Sequence, residues 1–197
     1  MKNLLVFTIL FFALNVNAQN YKQLLNQIED KWTLEDNGSV SYMTIIECDS
    51  MSKEEIYDKV RSYFTYNYGH ANAVVQIDNQ DAGLIVGKGI FPEVFTQMNI
   101  MITSTDVSHV LRVDIKNGKV RVIITLQEYI TEIIAADGES SSSKMWLSQA
   151  YPVNISGSRK NYYGKLFYKA YLRSQDTFKD IEKAIMEGNT SFDNSDW

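Results

Sequence analysis

The chain has little with which to do chemistry. Of its 197 residues, one is cysteine (Cys48) and two are histidine (His70 and His109). A single thiol excludes an internal disulfide. Cys48 closes the run YMTIIECDS at an expected strand end with no histidine nearby in sequence, so it reads as a small buried residue rather than a reactive thiol. Neither H-x-x-x-H nor C-x-x-C spacing occurs, which excludes the usual structural zinc patterns. No G-x-S-x-G elbow marks a nucleophilic serine. Clustered cations are missing too. The 19 Lys and Arg residues are spread among 24 Asp and Glu residues, for a formal charge of −5. A polyanion such as nucleic acid needs clustered Lys and Arg to release its counterions, so that partner class is set aside. No motif implies a cofactor.

One long apolar run is present, at the start. MKNLLVFTILFFALNVNAQN has Lys2 ahead of an uncharged stretch from Leu4 to Leu14, then Val16-Asn17-Ala18. That pattern is a secretory signal, too short and wrongly flanked for a membrane span. The expected signal peptide is 1–18, cleaved after Ala18, giving an exported chain that is periplasmic or secreted. No later stretch is long enough to be a membrane helix.

The glycines of DAGLIVGKGIF (81–91) pose the sharpest question. A phosphate-binding P-loop needs four residues before Gly-Lys, then Ser or Thr, then a helix. Here only Leu84, Ile85 and Val86 intervene, Gly89 stands where the hydroxyl belongs, and Pro92 follows. A bent strand fits instead. Gly83, Gly87 and Gly89 alternate onto one face, which permits bending or close approach of a packed helix, and Lys88 points the other way.

The remaining pattern alternates helix and strand. Residues 21–38 begin with a weak amphipathic turn and end in an acidic Asn-Gly turn, and 39–48 form the first strand. A helix is expected over 52–67, with Ser52 and Glu55 at capping-box spacing and Ile56, Val60, Tyr63 and Phe64 on one stripe. Gly69 ends it. Strands follow at 71–77 and from Gly83 onward, with a turn at 104–106. Asn117-Gly118 then predicts a two-residue type I′ hairpin. Centring it there pairs Ile115 with Val120, Val113 with Val122, Leu111 with Ile124 and His109 with Leu126 on one face. The other face pairs Asp114 with Arg121, Arg112 with Ile123 and Val110 with Thr125. Residues 135–144 read as a polar loop and 145–153 as an irregular apolar return. The stretch from 156 to 188 reads as helix, and Ser174 and Asp176 offer a cap at which a second segment could start. The expected fold is α+β, with a curved antiparallel sheet and helices packed on one face. The expected organisation is an N-terminal extension (19–38), one domain (39–187) and a frayed tail (188–197).

The order of these motifs resembles the family described as a domain of unknown function with TBP-like fold, whose members are largely exported proteins of Gram-negative bacteria. The matching positions are Ser52, Lys53 and Tyr57; Asp78 and Asp81; Gly83, Ile85, Gly87, Lys88 and Gly89; and Asn117 and Gly118. The resemblance covers about 39–130 and departs in the longer segment IFPEVFTQMNIMITSTDVS, which looks like an extended hairpin. It implies a single TBP-like unit and no catalytic residues.

Several smaller features have ordinary structural readings. The acidic turns EDNG (35–38) and DNQD (78–81) lack the ligand ladder of a calcium loop, and turn chemistry accounts for them. Asp49-Ser50-Met51 is similar to acidic-Ser/Thr-apolar sites at which some Gram-negative bacteria glycosylate exported proteins, and Ser50 equally suits the start of the helix. Tyr162, Tyr163, Tyr168 and Tyr171 crowd the last helix beyond what an apolar stripe requires. The sequence therefore points to a non-enzymatic, exported binding or interaction module for a protein or small ligand. Its candidate surface comprises Val110, Arg112, Ile123, Thr125, Tyr162 and Tyr168. The alternatives are a self-associating structural envelope protein and, further off, an enzyme with dispersed carboxylates.

Overall fold

Alternation on either side of Asn117-Gly118 builds the centre of the sheet. The computed structural model describes residues 20–68, 74–98 and 100–188. The expected signal peptide, Gly69, His70, residues 71–73 of the second expected strand and the tail beyond Gly188 lie outside the described residues. In chain order the elements are α1 (Tyr21–Asn26), β1 (Thr33–Leu34), β2 (Val40–Glu47), α2 (Lys53–Tyr68) and β3 (Val74–Asn79). They continue with β4 (Leu84–Met98), β5 (Ile102–Lys116), β6 (Lys119–Ile134), β7 (Ser140–Trp146), a 3-10 turn (Leu147–Gln149) and α3 (Lys160–Glu187).

The strands form one antiparallel sheet in the order β1-β2-β6-β5-β4-β3, with β7 also on β6. The central register is the one the hairpin dictates: Ile115↔Val120, Val113↔Val122, Leu111↔Ile124 and His109↔Leu126. β5 runs along all of β6. β2 takes the other edge of β6 as far as Leu126, and β7 takes it from Glu128. Register shifts between Ser108 and His109, and between Phe91 and Phe95, interrupt the ladders, and such bulges bend a sheet.

One face carries the core. Val120, Val122, Ile124 and Leu126 of β6 are buried against Val107, Leu111, Val113 and Ile115 of β5. Over them lie Ile56, Val60 and Phe64 of α2, then Leu166, Phe167, Ala170, Ile181 and Ile185 of α3. Both helices were expected from 3.6-residue stripes, and both bury those stripes on the same side of the sheet. Each such Leu, Ile or Phe contributes about 1.5–3 kcal/mol of burial. Gly87 and Gly89 fall on this helix side and Lys88 on the other, as the alternation requires.

The structure corrects the sequence reading in five places. Residues 104–106 are strand, and the β4–β5 connection lies at the preceding residues. Thr105 is held there by its hydroxyl, 2.9 Å from Thr131 Oγ1 and 2.7 Å from the Tyr162 hydroxyl. The serines of the expected 135–144 loop pair with Ile130–Ile134 as an edge strand, because a tight turn closes between Ala135 and Glu139. α3 runs unbroken, since Ser174 and Thr177 turn their hydroxyls back onto Ala170 O (2.9 Å) and Arg173 O (3.1 Å) instead of capping a new helix. Residues ahead of 39 contribute to the domain: Ile28 is buried in the core and Thr33–Leu34 pair with β2. Finally, Gly118 has φ +67° while Asn117 is not in the left-handed region, so the turn is not type I′.

Candidate functional site

Nothing among the described residues covers the face away from the helices, and its residues come from five strands. Reading across the register, one row runs Met43, Ile123, Arg112, Val86, Ile77. The next runs Ile45, Arg121, Asp114, Leu84, Asn79, and the row on the other side includes Ser41, Thr125, Val110 and Lys88. Val110, Arg112, Ile123 and Thr125 are thus brought together as the hairpin register demands. Met43 is 61% exposed and Ile45 50% exposed, high values for side chains in the middle of an eight-residue strand.

A charged cluster sits in this apolar surround. Arg112 grips Asp114 through Nη2 at 2.7 Å and Nε at 3.1 Å, and Arg121 reaches the same carboxylate at 3.1 Å. Burial pushes the Asp114 carboxyl up. The bonds from Arg112 and then Arg121 outweigh that and hold it below the usual carboxylate range. Two guanidinium groups against one carboxylate leave the cluster net positive. Lys88, exposed on the same face, adds a further cation and makes no ion pair among the described residues.

Tyr162 and Tyr168 are not part of this face. Tyr162 is only 6% exposed, bonded to Thr105 and packed on Phe95 with ring centroids 5.0 Å apart. The Tyr168 hydroxyl donates to Gln27 Oε1 at 3.0 Å, and its ring packs against the core. The reason is geometric: α3 turns its tyrosines toward the sheet's helix side and toward α1, so they pack instead of forming a surface. His109 is likewise a core residue, stacked on Phe91 with centroids 3.9 Å apart, and burial lowers its pKa to about 4.

Most of the residues that carry the resemblance, Gly87, Lys88 and Gly89 excepted, gather at one end of the sheet. Asn117 Oδ1 accepts the Lys53 amide at 2.9 Å, capping α2 from a residue far away in sequence. Ser52 Oγ accepts the Glu55 amide at 3.1 Å, as the capping box requires. Lys53 Nζ donates to Asp81 O at 2.7 Å, and Ile115 N donates to Gly83 O at 2.7 Å. The Tyr57 hydroxyl donates to Asp78, which also takes Arg61 Nε at 2.9 Å. The bond from Tyr57 is the main downward pull on the Asp78 carboxyl; burial opposes it and Arg61 adds to it. The acidic turn therefore does structural work: Asn79 Oδ1 accepts the Ala82 amide at 2.9 Å, and in the earlier acidic turn Asn37 Oδ1 accepts the Ser39 amide at 3.0 Å. Ser50 is exposed in the turn before α2.

Among the described residues no group of three or more His, Cys, Asp or Glu could hold a metal ion, and no helix is long and apolar enough to cross a membrane.

The model of a family described as "Domain of unknown function (DUF4468) with TBP-like fold" matches residues 42–129. That stretch of the chain is similar to the DUF4468 domain. The matched region starts on β2 and ends on β6, so it spans the near-end contacts and the uncovered face. Two solved structures share the fold. A TBP-like protein from Parabacteroides distasonis ATCC 8503 superposes with TM-score 0.61 at 17% identity, over 77% of this chain and 95% of that one. A DUF4468 family protein from Bacteroides ovatus ATCC 8483 gives TM-score 0.54 at 18% identity, over 77% and 89%. No curated protein matches the chain.

Sequence reasoning missed much of this sheet face. Met43 and Ile45 lie in a run that is apolar on both sides, which erases the alternation that would tell one face from the other. Val86 and Ile77 join the face only through the β4–β5 pairing, and no tight turn announces that register.

Proposed function

We propose that this protein is an exported, non-enzymatic binding module whose partner, a protein or a small ligand, lies against the uncovered face around Arg112 and Ile123. The observation that carries the reading is the uncovered apolar surround of Met43, Ile45, Val110 and Ile123 about the Arg112–Asp114–Arg121 cluster. Apolar side chains that a monomer leaves together in water mark binding surfaces. A net positive cluster set among them gives orientation to a ligand that carries both apolar and anionic parts. The carboxylates with shifted ionisation, Asp78 and Asp114, are both held low by hydrogen-bonded partners, which suits structural ion pairs rather than general acids. Export rests on the signal pattern of residues 1–18.

The test is native mass spectrometry of the mature protein purified from its own host. A defined added mass that is lost in the Arg112→Ala/Ile123→Ala variant, with folding intact, supports the reading. Retention of that mass by the variant removes the site. Self-association as an envelope component is the second reading, favoured by the fully outer β7, whose outward edge pairs with nothing among the described residues. Monomeric elution at high concentration counts against it.

A further inference from the structure

The extended β4–β5 hairpin carries a second feature of the same face. Beyond the Phe91–Phe95 bulge the sheet continues past the central cluster and forms a concavity of about 750 Å³. Met98, Ile102 and Ile134 are adjacent across β4, β5 and β6 and make an apolar row at its outer end; a polar row of Thr96, Ser104, Glu132 and Ser142 separates them from Ile130. The apolar row runs on into the hairpin tip, where Met98 is 75% and Ile100 87% exposed. Methionine and isoleucine held in water at a strand end contribute nothing to the core, and flexible Met side chains suit a surface that closes on a partner.

The charge around this groove has one sign. Glu93, Asp106 and Glu132 line it, and no Lys or Arg does. Lys144 stands on the same face opposite Ile130 but outside the groove. Glu93 and Glu132 have no ion-pair partner among the described residues. Asp106 is partly committed, since its Oδ1 accepts the Glu93 amide at 2.8 Å and so fixes the bulge. The face is therefore polarised: net positive at Arg112 and Arg121, negative at the groove.

We propose that the groove receives a cationic amphipathic segment of a partner protein, with apolar side chains on the Ile102–Ile134 row and flanking lysine or arginine at Glu93 and Glu132. Charge complementarity selects this occupant. An anionic lipid surface would meet the carboxylates with like charge. A second copy docked groove to groove across a two-fold axis would set the same carboxylates against each other. The proposal rests on the reading that the uncovered face is where partners bind, and it names the partner chemistry at the distal end.

The probe is a short labelled peptide of alternating lysine and leucine, titrated into the full mature chain by fluorescence anisotropy, with the glutamate–leucine counterpart as control. The lysine peptide is expected to bind saturably and more weakly as salt rises. Glu93→Gln/Glu132→Gln should weaken it roughly tenfold, and Ile102→Ser/Ile134→Ser by a similar factor. All these positions are surface ones, and circular dichroism checks that each variant is folded. Equal binding of the acidic peptide overturns the proposal. So does lysine-peptide binding that ignores the glutamine variant, or capture of the chain by phosphatidylglycerol vesicles in its place. If the lysine peptide is not bound while Arg112→Ala/Ile123→Ala still abolishes the native ligand, the groove assignment falls and the central site stands.

Discussion

The two ends of the sheet are built on opposite principles. At the Asn117–Gly118 end, loops are tied to one another by polar contacts over long sequence separations: Asn117 to Lys53, Lys53 to Asp81, Gly83 to Ile115, Gly118 to Met51. At the Met98–Ile102 end, apolar side chains face water, and the carboxylates of Glu93 and Glu132 have no ion-pair partner among the described residues. Most of the residues that carry the resemblance crowd the first end, and the β4–β5 extension makes the second. A motif recognised from sequence thus marks, in this molecule, what holds the fold together.

The hardest blow to this contrast is struck at Gly83. A Cβ there would sit 2.4 Å from Ile115 O and 2.9 Å from Lys53 Cε, on a residue with φ +62°. The backbone carbonyl cannot swing away without breaking the bond between Ile115 and Gly83. Gly83→Ala should cost about 3 kcal/mol or more, read as a lowered urea midpoint. A loss under about 1 kcal/mol would show that the near end tolerates slack and would erase the distinction.

His109 sits beside the bulge where the tightly tied half of the sheet gives way to the hairpin extension. Burial lowers its pKa to about 4, so the folded chain keeps the imidazole neutral over a range in which the unfolded chain protonates it. Its contribution is complete above the unfolded value near 6.5 and is lost as pH falls toward about 4. Wild type should lose up to roughly 3 kcal/mol across that window. His109→Leu should remove most of that slope while changing stability little at pH 7.5. An unaltered slope would assign the acid sensitivity to other groups.

The legible parts of this structure were those with local rules. The hairpin register from His109↔Leu126 to Ile115↔Val120 followed from one Asn-Gly pair and strict alternation. The Ser52–Glu55 cap followed from spacing, and the glycine face of β4 from period two. Illegible parts depended on distant partners. Ser140–Ser143 look like a loop because nothing in four serines says strand, and only pairing with Ile130–Ile134 makes them one. Tyr162 looked available for binding because its partner, Thr105, lies on another element far away in sequence. Val110, Arg112, Ile123 and Thr125 share one face as the hairpin register requires, while placing Met43, Ile45, Val86 and Lys88 beside them needed the neighbouring strands.

A milder test of the near end is Asn117→Ala. The variant deletes the oxygen that accepts the Lys53 amide and so leaves the α2 terminus short of one cap, with Ser52 still serving Glu55. The expected loss is about 1 kcal/mol. Asn117→Asp should retain most of the stability, because a carboxylate oxygen accepts the same bond and favours a helix N-terminus. If Asp behaves like Ala, the side-chain bond is not what couples the hairpin to the helix.

The smallest effect is expected at the far end, and it sharpens the comparison most. Met98→Ser and Ile100→Ser replace side chains that touch mainly water, so each should change stability by less than about 0.5 kcal/mol. Dye binding to exposed apolar surface should fall in both variants, because the removed groups are the exposed ones. The measurement is a urea midpoint at two protein concentrations well apart. A cost above about 1 kcal/mol that grows with concentration would mean the tip is already covered by a second copy in solution. The polarised face would then be an assembly surface, and the free carboxylates of Glu93 and Glu132 would need their cations from a neighbouring chain. A concentration-independent null leaves the tip uncovered and open to a different protein.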